Sequence, residues 1–498
     1  MNSPPEVAGP PTEVRTAPPE PRGFVVYALA CIPAVLVGIA IRLWVMRSPL
    51  LPLNADEAST GLQAWGVLHG DFKAVVSGNQ YGAATESYLF APFLAIWTGP
   101  VTLRVLSIVL SIGAAVAIYV LAREFVSRAL ALCAALVGWS LSAAVVMVWT
   151  RPYMGYTTGF IAEVVAIVAA TRAMDRREHL ARLAAVGGFA AGFAIFSHPM
   201  FGIVSLLALL PPTVVHIRQF TRWWLPAALG GLAGVSPWLV FIARNGPPSG
   251  PQLESTYLGR VGGFVVDMMP RLIGLRAADG TWLGGMAWLV LLIVGIVLAA
   301  TLVGLLLVFR RSGPRGWPIL VTGVLAFPAL SVVPALVGHA DARYGFPFIP
   351  PLVVGLAGLG LLLPARRQQS PVLVAVVPTL WALIACVPMI HHQIGWTTDN
   401  PDAGAEQATQ YLLDHGAVAV GGEYWATYLA DYLADDALKV RPDLWVRFPD
   451  DAVAFDQIPV QDRSFIYTTG LPPNLPLPAD DYEKVTVGGY DVYVPHAG

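Results

Sequence analysis

The chain has 498 residues, 56% hydrophobic and only 12% charged, with 30 basic residues against 32 acidic ones and a formal net charge of -2. Its mean hydropathy is +0.62, which excludes a soluble globular protein, and no nucleic-acid partner is expected. A membrane span needs about 20 consecutive apolar residues, and the sequence supplies that length repeatedly, so the chain reads as a polytopic α-helical membrane protein.

Residues 1–22, rich in Pro and Glu and without apolar periodicity, read as a disordered cytoplasmic tail. The first span, near 24–46, follows about twenty polar residues and lacks a small-residue cleavage site. It is therefore expected to be a retained anchor. Next comes a polar loop, 47–100, carrying Asp56, Glu57, Lys73 and Glu86. Two stretches in it, 57–69 and 86–97, read as short interfacial helices, with Trp65, Tyr88 and Trp97 at belt positions. Further spans are expected near 101–122, 129–149, 155–173, 183–199, 201–217, 223–243, 283–309, 317–337, 345–364 and 371–390, about eleven in all. Pro199 leaves 183–217 open to a second reading as one kinked pair.

Basic residues recur in alternate loops: Arg15 and Arg22, Arg123 and Arg128, Arg172 through Arg182, Arg218 and Arg222, Arg310 through Arg315, and Arg366 with Arg367. Cytoplasmic connections hold such an excess. The amino terminus is accordingly expected inside, and the loop after the first span and everything beyond residue 390 outside. The remaining outer loops present Arg151-Pro152-Tyr153, Ser197-His198-Pro199, a stretch of about 40 residues from 244 to 282, and Gly338 through Tyr344 with His339, Asp341 and Arg343. Residues 23–390 thus form a transmembrane domain. Beyond 391 lie 17 of the 32 acidic residues, and this segment, 391–498, reads as a separate, small, extracytoplasmic α/β domain. Helices are expected at 403–415 and 423–434 and a strand at 417–420. A hairpin is expected about Gly488-Gly489. No chemistry is assigned to it, and acceptor binding or covering a cleft are the roles open to it. Cys31, Cys133 and Cys386 each fall in an apolar run, and no disulfide is expected. Three lysines against many arginines, with abundant Ala, Gly and Pro, point to a GC-rich bacterial source, and with the spans this places the chain in a bacterial plasma membrane.

Asn54-Ala55-Asp56-Glu57-Ala58, placed after a first span and followed by a helix ending His69-Gly70-Asp71-Phe72, resembles the first outer loop of the C-type glycosyltransferase superfamily. The similarity is to the branch with the protein O-mannosyltransferases and lipid A aminoarabinose transferases. Tyr81 through Tyr88, Arg151-Pro152-Tyr153, and Arg343-Tyr344 followed by Pro347 and Pro350 carry it further. Ala55 departs from the His or Pro common in relatives, and the carboxy-terminal segment is not typical of either named enzyme. The resemblance implies an inverting, metal-independent transfer of a sugar from a polyprenyl-phosphate donor.

Physical reasoning reaches the same donor, since nucleotide sugars are cytosolic and an outward-facing enzyme must draw on a lipid carrier. Asp56, with Glu57 beside it, is the candidate catalytic base; Arg343, Tyr344, Arg151 and His339 are candidates for the donor phosphate and lipid. Glu86, Tyr81, Tyr153 and His198 are candidates for the substrate. The acceptor is an extracytoplasmic glycan, lipid or protein. Each assignment has a plainer rival: Asn54 and Glu57 have capping-box spacing, Glu86 suits a helix N-terminus, and Arg343 could pair with Asp341. No cofactor is required, although Asp56, Glu57 and Glu86 are hard oxygen donors that could hold a divalent metal. The competing classes are a lipid or solute transporter, for which Gly187-Gly188 through Gly192 would be a glycine-interrupted span, and a scaffold indifferent to Asp56.

Overall fold

The computed structural model describes residues 22–79, 81–175, 179–246, 256–277, 280–333 and 342–496. Long apolar runs become helices because, away from water, every backbone donor and acceptor must be paired within its own segment. In chain order the principal helices are α1 (Arg22–Met46), the short α2 (Ala55–Leu68) and α3 (Thr85–Leu94), and α4 (Pro100–Arg123). They continue through α5 (Arg128–Trp139), α6 (Ala143–Thr150), α7 (Tyr156–Ala173), α8 (Leu180–Ser197), α9 (Pro199–Val215) and α10 (Leu225–Asn245). The last four of the membrane region are α11 (Ala287–Ser312), α12 (Trp317–Leu330), α13 (Ile349–Leu359) and α14 (Pro371–Ala385).

Among the described residues, eight segments are long and apolar enough to cross a membrane, or nine if α5 and α6, bent by 76°, form one broken span. One of the eight, Ala287–Leu330, is 44 residues long and is in fact a hairpin. Its chain turns at Gly313–Gly316, after which Gly316 backs onto Phe309 and Gly323 onto Leu305, so α11 and α12 run antiparallel. In the same way Gly202 meets Ile195 and Gly187 meets Leu209, which makes α8 and α9 two antiparallel helices about Pro199. With these taken as pairs, α5 and α6 as one broken span and the 17-residue α9 counted, the described helices overlap the eleven expected spans; residues 334–337 of the span expected near 317–337 lie outside the described residues. The glycines of α8 serve close packing. A Cβ on Gly188 or Gly192 would lie 2.1 Å from a backbone oxygen of α10, at Ala227 or Gly231, the small-residue contact that lets helices approach in lipid.

The loops segregate by alternation. At one end Glu124 takes Arg172 at 2.7 Å and Arg315 at 2.6 Å, Arg315 also takes Asp175 at 2.9 Å, and Tyr27 donates to the Gln369 carbonyl at 2.5 Å. At the other end Arg151 donates to the Pro52 carbonyl at 2.8 Å and the Ala83 amide to the Ser197 carbonyl at 3.1 Å.

The carboxy-terminal segment comprises α15 (Ala403–Asp414), β1 (Ala419–Gly422), α16 (Tyr424–Leu433), β2 (Lys439–Pro442), α17 (Pro449–Gln457), β3 (Ser464–Thr468), β4 (Tyr482–Val487) and β5 (Tyr490–Pro495). Its sheet has the order β2-β1-β3-β5-β4, parallel from β2 to β3 and antiparallel beyond. The β4–β5 hairpin turns on Gly488 and Gly489, both at positive φ (60° and 87°), which a two-residue primed turn requires. The two expected helices and the hairpin fall where the sequence places them, the strand expected at 417–420 lies at Ala419–Gly422, and β2, α17 and β3 were not expected; the core is shared rather than separate. Leu53, Ala58, Leu62 and Phe90 of the first loop pack into one cluster with Ala408, Tyr428, Leu429 and Tyr432. A side chain at Gly61 would collide with the Tyr432 ring. The composition change at 391 is therefore not a boundary in packing.

Candidate active site

The site begins at the cap of α2. The Asn54 side chain accepts from the Glu57 amide at 2.9 Å, which fixes the first turn and sends neighbouring residues about 100° apart around the axis. Glu57 is turned into the protein. Its side chain, 1% exposed, takes Arg104 at 2.8 Å rather than returning to Asn54, so only half of a capping box forms. Arg104 also takes Asp402 at 2.8 Å, Asp402 accepts from the Leu53 amide at 2.6 Å, and Arg151 stands 3.8 Å from Glu57. Two acids and two guanidiniums from four parts of the chain thus neutralise one another where α2, α4 and the carboxy-terminal segment meet. Buried charges persist only when paired in this way.

Asp56 points the other way, into a cavity of about 180 Å³. Six of the ten candidates line it: Asp56, Tyr81, Tyr153, His198, Arg343 and Tyr344. They come from four separate loops at one end of the bundle. The Arg343 guanidinium lies 5.5 Å from the Tyr153 ring centre and 5.4 Å from that of Tyr344, within cation–π range. His198 caps α9, its Nδ1 accepting from the Met200 amide at 3.4 Å, and its ring stands 5.3 Å from Tyr81 and 5.0 Å from Tyr156. Burial, and then the nearby Arg343 charge, hold its pKa down to about 3, so His198 is a neutral imidazole at physiological pH.

Glu57, Glu86 and Arg151 are not among the residues that line the cavity. Glu86, 2% exposed, receives the Gly155 amide at 2.8 Å and the Thr158 amide and hydroxyl at 3.3 and 3.0 Å, capping the first turn of α7. Arg151 donates to the Pro52 carbonyl and to the Tyr153 hydroxyl at 3.3 Å, which braces one cavity wall. His339 lies outside the described residues. The carboxylates of Asp56, Glu57 and Glu86 engage three different sets of partners and do not converge as a shared metal-ligand set.

The largest addition to the expected site is Arg447, from the carboxy-terminal segment. Its Nη2 is hydrogen-bonded to Asp56, its Nε to the Tyr424 hydroxyl, and its amide to the Tyr428 hydroxyl at 2.6 Å. A Cβ on Gly78, which has φ 72°, would lie 2.5 Å from the Arg447 Cα, so only glycine lets the first loop approach this closely. Arg447 and Asn79 also line a second groove of about 540 Å³, bounded by Phe72, Lys73, Arg244 and the apolar Val240 and Phe241 of α10. Nothing local in the sequence marks Arg447. Arg104 did carry a signal, as a charge near the start of an apolar span.

No family model matches the chain, and no curated protein matches it. Among solved structures it is similar to ArnT from Cupriavidus metallidurans in the apo state, at 13% identity and a TM-score of 0.63, covering 95% of this chain and 98% of that one. It is also similar to the same protein bound to undecaprenyl phosphate, at 13% identity, a TM-score of 0.59 and the same coverage. Over nearly its whole length, the chain has the fold of ArnT.

Proposed function

We propose that this protein is a membrane glycosyltransferase that moves a sugar from a polyprenyl-phosphate donor to an acceptor on the outer face of a bacterial plasma membrane. The observation that carries this reading is the meeting of Asp56, Arg343 and Arg447 in one aromatic-walled cavity at the end of the bundle. A carboxylate flanked by two guanidiniums and tyrosines matches the needs of a sugar and its phosphate. The ArnT fold, solved with undecaprenyl phosphate in that relative, supports a donor of the same class. The groove beside the cavity is walled by α10, a helix only 6% buried along its membrane stretch, which offers a lipid-linked substrate a route from the bilayer.

In the reaction, Asp56 accepts the proton of the acceptor hydroxyl as its oxygen attacks the anomeric carbon. The bond from that carbon to the phosphate oxygen breaks, the phosphate leaves with the electron pair, and one displacement inverts the configuration. Arg343, held over Tyr153 and Tyr344, is placed to receive the phosphate charge; a guanidinium can do so with two parallel hydrogen bonds. Arg447 keeps the Asp56 carboxylate aimed into the cavity. Neutral His198 and the tyrosines supply hydrogen bonds to sugar hydroxyls without adding charge.

The test is transfer by membranes holding wild-type or Asp56→Asn protein, given radiolabelled polyprenyl-phosphate sugars and cell-envelope acceptor. Transfer from one donor, reduced by roughly 10²–10⁴-fold in the variant at equal expression, is expected. Equal transfer by both proteins would sink Asp56 as the base, and transfer from no donor would sink the enzyme reading.

A further inference from the structure

Outside the cavity, the carboxy-terminal segment gathers a second group of acids. One carboxylate oxygen from each of Asp431, Asp436 and Asp451 lies within 4.8 Å of the others. They come from the last turns of α16, the loop after it, and the first turn of α17. Acids crowd on many surfaces without a ligand; here Asp431 is different. It is 1% exposed, one of its oxygens accepts from the Leu438 amide at 3.2 Å, and the other is buried without a hydrogen-bond partner among the described residues. A desolvated carboxylate oxygen without a donor costs free energy unless a proton or a cation satisfies it. The neighbours do not balance the charge. Among the described residues Lys439, 3.2 Å from Asp451, is the one cation that forms a salt bridge to the three acids.

We propose that Asp431, Asp436 and Asp451 form a binding site for a divalent cation of the calcium type. The donors are all carboxylate oxygens, with no sulfur or imidazole, which suits a hard ion and disfavours zinc or copper. One oxygen from each of the three carboxylates converges, and water completes the shell of an ion that tolerates irregular geometry. On the outer face of a membrane such modules bind calcium at roughly 10⁻⁴–10⁻³ M.

The ion would tie together the two elements that hold Arg447. Tyr424 and Tyr428, which fix Arg447, lie on α16 with Asp431, while Asp451 follows Arg447 by four residues on α17. The site would thus brace the loop that aims Asp56 without touching substrate.

The experiment uses the full chain, purified in detergent and stripped with a chelator, titrated with calcium and with magnesium. Binding of radioactive calcium and thermal unfolding are read. One saturable calcium per chain is expected, with a rise of a few degrees in the unfolding midpoint at saturation. Asp451→Asn and Asp436→Asn, both less buried than Asp431, should weaken binding at least tenfold and remove the rise, while Lys439→Gln, which takes away the competing cation, should tighten it. Absence of saturable binding at millimolar calcium, or equal binding by wild type and both Asn variants, overturns the site. Neither readout requires the glycosyltransferase reading, so the two proposals fail separately.

Discussion

The two ends of the helical bundle handle charge in opposite ways. At the end holding Glu124, the acid is paired with Arg172, in the last turn of α7, and with Arg315, in the turn between α11 and α12. At the end holding Asp56, the acid faces a cavity, and its guanidinium partner comes from 391 residues further along the chain. Glu124 draws on Arg172, 48 positions away, and on Arg315, 191 positions away. Asp56 draws on a partner farther still along the chain and lines a cavity as well.

Four changes would break or sharpen that contrast. The largest effect on stability is expected from Arg104→Met, which strands Glu57 and Asp402 as buried acids. A loss of roughly 3–5 kcal/mol should appear as poor expression or a lowered unfolding midpoint, and a variant as stable as wild type would show that the network is not buried in the native protein. Arg447→Gln should leave the fold nearly intact but lower transfer by about 10–100-fold, of the order lost when an oriented charge partner is removed. Arg447→Lys should restore part of it, and unchanged kcat in both would remove Arg447 from the site.

The third concerns pH. Burial pushes the Glu86 pKa from its ordinary 4.5 up to about 7, although the donors at Gly155 and Thr158 oppose the rise. The folded state therefore holds a proton that the unfolded state releases, so this group's contribution to stability falls as pH rises from about 4.5 to about 7. Glu86→Gln should flatten that part of the stability profile, and an unaltered profile would place the titration elsewhere. The smallest effect is expected at the opposite end. With Arg172 and Arg315 about a third exposed, Glu124→Gln should cost about 1 kcal/mol or less and leave transfer untouched. A large loss of transfer there would mean that the two ends are coupled.

The spans, their alternation, α2, α3 and the β4–β5 hairpin were legible because each rests on a local pattern: apolar length, loop arginines, the Asn54 cap and the Gly488-Gly489 turn. Site residues were legible in part. Asp56, Tyr81, Tyr153, His198, Arg343 and Tyr344 meet in one cavity, as their shared sidedness suggested. Asp56 was read as the base and Glu57, beside it, also suited a capping box; the helix turn sends the first to the cavity and the second to Arg104. That choice depends on which face of α2 the carboxy-terminal segment covers.

What the sequence by itself determined is therefore the class of molecule, the number and alternation of its helices, and the loop in which the candidate base lies, because hydrophobic length and backbone pairing are properties of short segments. Only the tertiary structure decided that residues 391–498 share a core with the first loop, that Arg447 reaches Asp56, and that Asp431, Asp436 and Asp451 meet. Such contacts join residues tens to hundreds of positions apart, and no local free energy in the chain records them.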